Sequence, residues 1–361
     1  MKKLLALLLA LVLVFGLAAC GGNQPAPTPT PAPPAGIAPP GAEPLPGNGG
    51  EWHPTRDITG LVGHAAGGGM DVMMRLLIPG LEHELGVNII PLGMPGANSA
   101  ISAEHLVSSP ADGYMIWAFS SAATTFPASG ISDLFYNDLQ MIAVVQSANP
   151  VITVPVDSPI ETFEDFIEAL QTGNTTASNG GLGGIWHLPQ VVILGAVGGD
   201  AIFVPYEGGR PAANAVAQGE VDWGMSCISE AMSFIQDGFS RPLAIYRLTD
   251  LYLEGYGNIP SILNWLPELE ELIPVTDGFR GIGVRRGTPQ NIIDTLVEAL
   301  KYASNTPEFI SATEGAHNDV VQIFGEDADA LTQFATRLSS WIFYDLGFAE
   351  RSPAEVGVPR P

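Results

Sequence analysis

Three loops of this chain carry residues whose type and spacing could hold a small anion. The first is Ala65-Ala66-Gly67-Gly68-Gly69-Met70-Asp71, between a run that reads as a strand and one that reads as a helix. Its three glycines let the backbone take positive φ angles and approach a ligand closely. The helix start that follows offers unpaired N–H groups and the positive end of its macrodipole. Ala66, Gly67, Gly68 and Gly69 thus make an anion site that needs no lysine. Asp71 reads as a helix cap or as a brace accepting loop N–H bonds, because a carboxylate aimed at an anion would repel it. A plain connector with no ligand fits this motif, taken alone, equally well. A nucleotide phosphate loop does not, since no Gly-Lys-Ser/Thr follows.

The second segment is Ala177-Ser178-Asn179-Gly180-Gly181-Leu182-Gly183-Gly184, ahead of a helix that includes His187. The same logic applies, so two glycine-rich helix starts would grip a ligand from both sides. His187 could donate to a carboxylate, although a lone His on a helix more often packs or caps. The third is Val204-Pro205-Tyr206-Glu207-Gly208-Gly209-Arg210. Tyr206 could bond a ligand or close a cleft, and Arg210 could face ligand or solvent. Catalysis finds little to work with. The six histidines show no metal-ligand spacing, no paired cysteines point to zinc, and no Gly-x-Ser-x-Gly elbow occurs. No cofactor or metal is expected.

The elements that must position these loops alternate. Strands are expected at Asp57–Val62, Val87–Leu92, Tyr114–Phe119, Ala201–Pro205 and Val221–Met225. Helices are expected at Asp71–Leu85, Ala100–Val107, Glu161–Leu170 with Thr162 as cap, Val191–Val197, Pro211–Gln218, Asn291–Ala303 and Ala328–Leu346. Met141 to Val156 is a long apolar stretch broken at Asn149-Pro150. Strand, turn, helix and strand in repetition imply an α/β fold with mainly parallel sheets. In such sheets ligands sit beyond the carboxyl ends of the strands, where the glycine and hydroxyl loops fall.

The first 20 residues speak to location. Met1-Lys2-Lys3, an apolar run from Leu4 to Phe15 and small residues after it describe a secretory signal. Leu17-Ala18-Ala19-Cys20 resembles the bacterial lipoprotein processing box, with Cys20 the expected lipidated residue; an ordinary secretory signal that ends in Cys is the other reading. Residues 1–19 are then signal peptide, and 20–51 a Pro/Gly-rich tether with no core to bury. At about 3.1 Å per residue that tether reaches roughly 90 Å. The other cysteine, Cys227, reads as a small buried apolar residue. Loss of Lys2 and Lys3 leaves Lys301 as the only lysine, in a chain of 14 Lys and Arg against 38 Asp and Glu. Such a surface excludes nucleic acid as a partner, and excludes a basic patch as the means of holding an anion. About 300 folded residues call for two lobes.

In their order and spacing, Ala65–Asp71, Pro95-Gly96-Ala97, Pro110-Ala111-Asp112-Gly113-Tyr114, Val204–Gly209, Gly219-Glu220-Val221-Asp222 and Arg286-Gly287-Thr288-Pro289 resemble the solute receptors of tripartite tricarboxylate transporters, the Bug family. The resemblance covers about Asp57 to Phe348. It implies a two-lobed periplasmic-binding-protein fold of the second type, a Venus flytrap. It also implies capture of a carboxylate held by backbone amides, hydroxyls and bridging waters, and delivery to membrane permease subunits by a monomer. Carried over by position, Ala66 to Gly69, Asp71, Ser120, Ser121 and Thr124 would serve from one lobe. Ser178, Asn179, Gly180, Gly181, Gly183, His187 and Tyr206 would serve from the other. The chain departs from the family at Gly63-His64, Met70, Glu207 and Gly184-Ile185-Trp186, so His64 or Trp186 is expected to shape specificity.

The lobes would be residues 52–148 plus 246–348, and 149–245, with 349–361 a tail. A receptor of this kind is extracytoplasmic, periplasmic or at the cell surface. Two other readings stay open: a sensory lipoprotein acting on a membrane kinase, and a secreted hydrolase or isomerase.

Overall fold

The computed structural model describes residues 52–349 and 351–361. The signal, Cys20 and the tether lie outside the described residues. Two mixed sheets carry the fold. The first is built from β1 (Ile58–Val62), β2 (Ile89–Gly93), β3 (Met115–Ser120), β4 (Leu139–Ser147), β12 (Phe279–Arg285) and β13 (Asp319–Phe324), in the order β13-β4-β12-β3-β1-β2. The second takes β5 (Pro150–Pro155), β6 (Thr176–Asn179), β7 (Ile202–Pro205), β8 (Trp223–Cys227) and β9 (Ser240–Ile245), in the order β7-β6-β8-β5-β9. A small antiparallel hairpin, β10 (Leu251–Leu253) with β11 (Gly257–Ile259), follows.

The expectation of mainly parallel sheets is corrected. Parallel pairing is confined to β1 with β2 and β3, and to β6 with β7 and β8. β12 and β13 against β4, β12 against β3, and β5 against β8 and β9 are antiparallel. The cause is the chain crossing between sheets. β5 starts directly after Ala148-Asn149, with Pro150 opposite Cys227 at the end of β8. β12 likewise starts where β3 ends, Arg280 opposite Ser120. A strand that begins at the shared rim must run away from it, against strands that run toward it.

Helix α1 (Gly69–Leu85) shows why the first sheet packs. Met70, Met73, Met74, Leu77 and Leu81 repeat at helical spacing and are buried against the sheet. Gly80 lets α1 meet α7 (Gln290–Ser304) closely, since a Cβ there would fall 2.5 Å from the Ala303 Cα. Shorter helices follow: α2 (Ala100–Ser108), α3 (Phe163–Thr172), α4 (His187–Val197), α5 (Gly209–Ala217) and α6 (Ile228–Gln236). Thr162 caps α3 in a reciprocal box, accepting from the Asp165 N–H while Asp165 accepts from the Thr162 N–H.

After α7 come α8 (Pro307–Gly315) and the long α9 (Glu326–Asp345). The residues beyond α9 are docked on it. Val358 is buried, its carbonyl accepts from Trp341 Nε1 at 3.3 Å, and Arg360 pairs with both oxygens of Asp345 at 2.8 Å.

Candidate ligand-binding crevice

Residues just beyond the carboxyl ends of the first sheet's strands meet those of the second: Thr125, after β3, bonds Gly183, after β6, and the Arg280 charge reaches both His64, after β1, and Cys227, the last residue of β8. Two crossings hold the rims together. Ala148 N–H donates to the Gly278 carbonyl at 3.3 Å, and Tyr246 N–H to the Pro150 carbonyl at 2.8 Å. Around this rim lie buried polar atoms with no hydrogen-bond partner: His64 Nδ1, Ser120 Oγ, Asn179 Nδ2 and Ser226 Oγ. Buried polar groups are normally paired, so a cluster of unpaired ones at strand ends has unused bonding capacity.

The first glycine loop forms as its residue types require. Gly67 sits at φ 77, which a side chain would strain. Its N–H donates to Asp71 Oδ2 at 2.8 Å, and Arg75 Nε bonds both Asp71 oxygens at 3.0 Å. Those bonds from Arg75 and from the loop hold the Asp71 carboxyl below the usual carboxylate range. Asp71 thus braces the loop. Ala66 and Gly67 are exposed, Gly68 and Gly69 half-buried, at the start of α1. His64 precedes them; burial, then the Arg280 guanidinium, lowers its imidazole to about 4.

The second glycine loop is occupied by the other half of the protein. Asn98 Nδ2 donates to the Leu182 carbonyl at 3.0 Å, and the Thr125 hydroxyl donates to the Gly183 carbonyl. A Cβ on Gly183 would meet Ser129 Cβ at 2.6 Å, and one on Gly180 would meet the Gly208 backbone at 3.1 Å. His187 serves this loop. Its Nδ1 accepts the Gly183 N–H at 2.8 Å, while Nε2 is buried without a partner among Phe203, Phe343 and Phe348. That apolar box lowers the imidazole to about 4 through burial.

The remaining residues singled out from sequence divide. Ser120 ends β3 on the rim with its hydroxyl unpaired. Ser121 is buried beside it. Thr124 turns inward: its hydroxyl donates to the Ser121 carbonyl at 2.6 Å and meets Ser339 of α9 at 3.1 Å. Ser178 donates to the Ala212 carbonyl at 2.9 Å, and Asn179 Oδ1 accepts the Gly181 N–H at 3.0 Å. The Tyr206 hydroxyl donates to Glu220 at 3.0 Å in an exposed setting, and Arg210 lies over Phe234. Neither reaches the crevice through a bond to the residues above.

Two charged residues at the rim escaped the sequence reading. Arg280, with 5 % of its surface exposed, is the most deeply buried cation among the described residues. Glu230 lies opposite, on α6; its Oε2 accepts the Cys227 N–H at 3.0 Å, and burial pushes its carboxyl up. Trp186 is buried beside Glu230. Its side chain helps hold the Glu230 carboxyl down against that burial, and its Cζ3 would stand 2.9 Å from a Cβ on Gly278. The Gly on either side of Phe279-Arg280 was the available signal, small residues beside a long cation in an apolar strand.

Among the described residues no group of three or more His, Cys, Asp or Glu side chains could hold a metal ion, and no helix is long and apolar enough to cross a membrane.

Two mixed sheets crossed at one rim, with a crevice between strand ends, define the fold of bacterial solute-binding proteins. A TctC solute-binding protein from Polaromonas matches it with a TM-score of 0.65 at 24% identity, over 81% of this chain and 100% of that one. An R. palustris protein solved with adipate matches at a TM-score of 0.70 and 20% identity, over 82% and 99%. A UPF0065 protein of Bordetella bronchiseptica is 26% identical over 262 residues, 72% of this chain and 76% of the relative. Residues 73–340 match the tripartite tricarboxylate transporter family receptor, TctC, and the chain belongs to that family.

Proposed function

We propose that this chain is an extracytoplasmic receptor, anchored through lipidated Cys20, that captures a small carboxylate and hands it to the permease subunits of a membrane transporter. It does so as a monomer and without chemistry. The lobes follow the division 52–148 plus 246–348 against 149–245, amended in that Leu251, Leu253, Ile259 and Trp265 pack with the second lobe, and closure is a rigid-body motion about the two crossings. The observation that carries the reading is the cluster of buried, unpaired polar atoms at the facing strand ends, His64 Nδ1, Ser120 Oγ, Asn179 Nδ2 and Ser226 Oγ. A carboxylate offers acceptors for such groups, and an adipate-bound relative of the same fold supports the ligand class.

The test is thermal unfolding of the full chain with malate, adipate, citrate, glutamate and benzoate. A ligand at about 1,000 times its Kd adds roughly 4 kcal/mol to the folded state, a rise of several degrees. Unchanged melting across the panel, in protein shown to be folded and free of carried-over ligand, removes the carboxylate-receptor reading.

A further inference from the structure

Arg280 is the second residue of β12, between Ser120 of β3 and Gln146 of β4 in the sheet. Its guanidinium lies flat on Gly69, the first residue of α1. A Cβ there would fall 2.7 Å from Cζ, 2.7 Å from Nη1 and 2.8 Å from Nη2. Gly69 therefore clears space for the arginine as well as for a ligand. Several other cations are engaged, Arg75 by Asp71, Arg247 by Asp319, Arg286 by Asp329 and Arg360 by Asp345, whereas Arg210 lies over a ring and half-buried Arg337 has an unpaired Nε away from the strand-end rim. Among the described residues Arg280 makes no hydrogen bond and no ion pair. A guanidinium has five donors, and a buried charge left without a partner is destabilising. Unpaired His64 Nδ1 and Ser120 Oγ belong to the same rim, and His64 feels the Arg280 charge.

A carboxylate satisfies this set. It can take two parallel N–H bonds from one guanidinium, and the start of α1 at Gly69 adds its partial positive charge. The opposite wall differs in sign. Glu230 feels the Arg280 charge, and its carboxyl presses on Gly209, where a Cβ would stand 2.0 Å from Oε2. A second ligand carboxylate in the same crevice would meet that acid.

We propose that Arg280 is the cation that takes the ligand's carboxylate, and that with Glu230 opposite, the crevice is balanced for a ligand with one carboxylate rather than two or three. This rests on the receptor reading above and supplies the anchoring residue and charge class. The chemistry selected is a monocarboxylate, or a zwitterion whose cationic end approaches Glu230.

The experiment uses minimal ligands that fit any carboxylate subsite. The full chain and its Arg280→Met variant are melted in about 0.1 M acetate or malonate, with chloride as reference at matched ionic strength. The variant corrects for general salt effects. Acetate is expected to raise the wild-type Tm by about 2–4 °C over chloride and to leave Arg280→Met unchanged. Malonate is expected to give the smaller variant-corrected rise. Gly69→Ala, which keeps the charge but displaces the guanidinium, is expected to lose most of the acetate rise, and it decides the matter should Arg280→Met fail to fold. An acetate rise that survives these substitutions, or none in the wild type, overturns the anchor. A malonate rise equal to or above that of acetate overturns the single-carboxylate assignment. Larger acids that stabilise wild type and Arg280→Met equally leave the receptor reading standing while Arg280 falls.

Discussion

The side-chain amide of Asn98 donates to the carbonyl of Leu182 at 3.0 Å, joining the first sheet's α2 approach to the glycine loop of the second. Asn98 lies in an uncommon backbone run: Ala97, Asn98 and Ser99 have φ of 46, 49 and 75. Three consecutive non-glycine residues in the left-handed region store strain that surrounding contacts must hold. Thr125, bonding Gly183, is the second tie across the same seam.

Removing those ties should loosen the seam with little damage to either sheet. Each hydrogen bond is worth about 1 kcal/mol. Asn98→Ala with Thr125→Val is expected to speed amide hydrogen exchange across residues 180–184 by roughly tenfold or more, with core strands unaffected. Exchange unchanged in that loop would show that the seam is held by packing alone.

His187 predicts a dependence on acid. Its folded-state value is about 4, against 6.5 when free, because burial among Phe203, Phe343 and Phe348 disfavours the cation. The unfolded chain therefore binds the proton first as pH drops. Stability from this group is complete above 6.5 and is lost as pH falls through about 4. His187→Gln is expected to cost about 1–3 kcal/mol near neutrality and to flatten that acid limb. Urea melts at several pH values measure both, and an unaltered slope removes the assignment.

Asp277 acts in the opposite sense. Ser147 Oγ donates to its Oδ2 at 2.6 Å, but Oδ1 is buried without a partner. Burial, and then the Asp319 charge, raises it to about 7. The folded state holds this proton more tightly than the unfolded one, whose carboxyl titrates at 3.8. Its contribution is full below 3.8 and is lost as pH rises through about 7. Asp277→Asn, a permanent mimic of the protonated form, is expected to be more stable than wild type by about 1–3 kcal/mol near pH 8 and nearly equal near pH 4. Equal stabilities at both pH values would contradict it.

How much of this was legible in the sequence depends on the range of the interactions. Thr162 with Asp165 and the methionine stripe of α1 are local patterns, and both elements formed within a few residues of their expected bounds. The direction of β5 and β12 depends on where the chain crosses between sheets, which periodicity does not carry. The glycine loops were legible as glycine loops. Their neighbours were not, because Asn98 and Leu182 lie 84 positions apart. Arg280 was hidden by composition: few cations argued against a cationic site, yet a single buried arginine suffices to make one. Tyr206 and His187 were read as facing ligand, and the residues that engage them, Glu220 and Gly183, are close in sequence but not distinctive in it.

His64 stands on the rim with Nδ1 unpaired and buried, and Trp186 is buried against Gly278 beside Glu230. His64 lies near Arg280 and Trp186 near Glu230. His64→Ala removes a polar group without a packed partner, so it should cost little stability and weaken the best acid by about tenfold, the loss of one net hydrogen bond. Trp186→Ala opens a cavity and should cost about 3–5 kcal/mol, so Trp186→Phe is the cleaner probe of ligand choice. Calorimetric titration of both variants against the same acids reads the ranking. If neither His64→Ala nor Trp186→Phe reorders the ligands, these two residues do not set specificity, and the selection must lie in Arg280, Glu230 and the backbone of the two glycine loops.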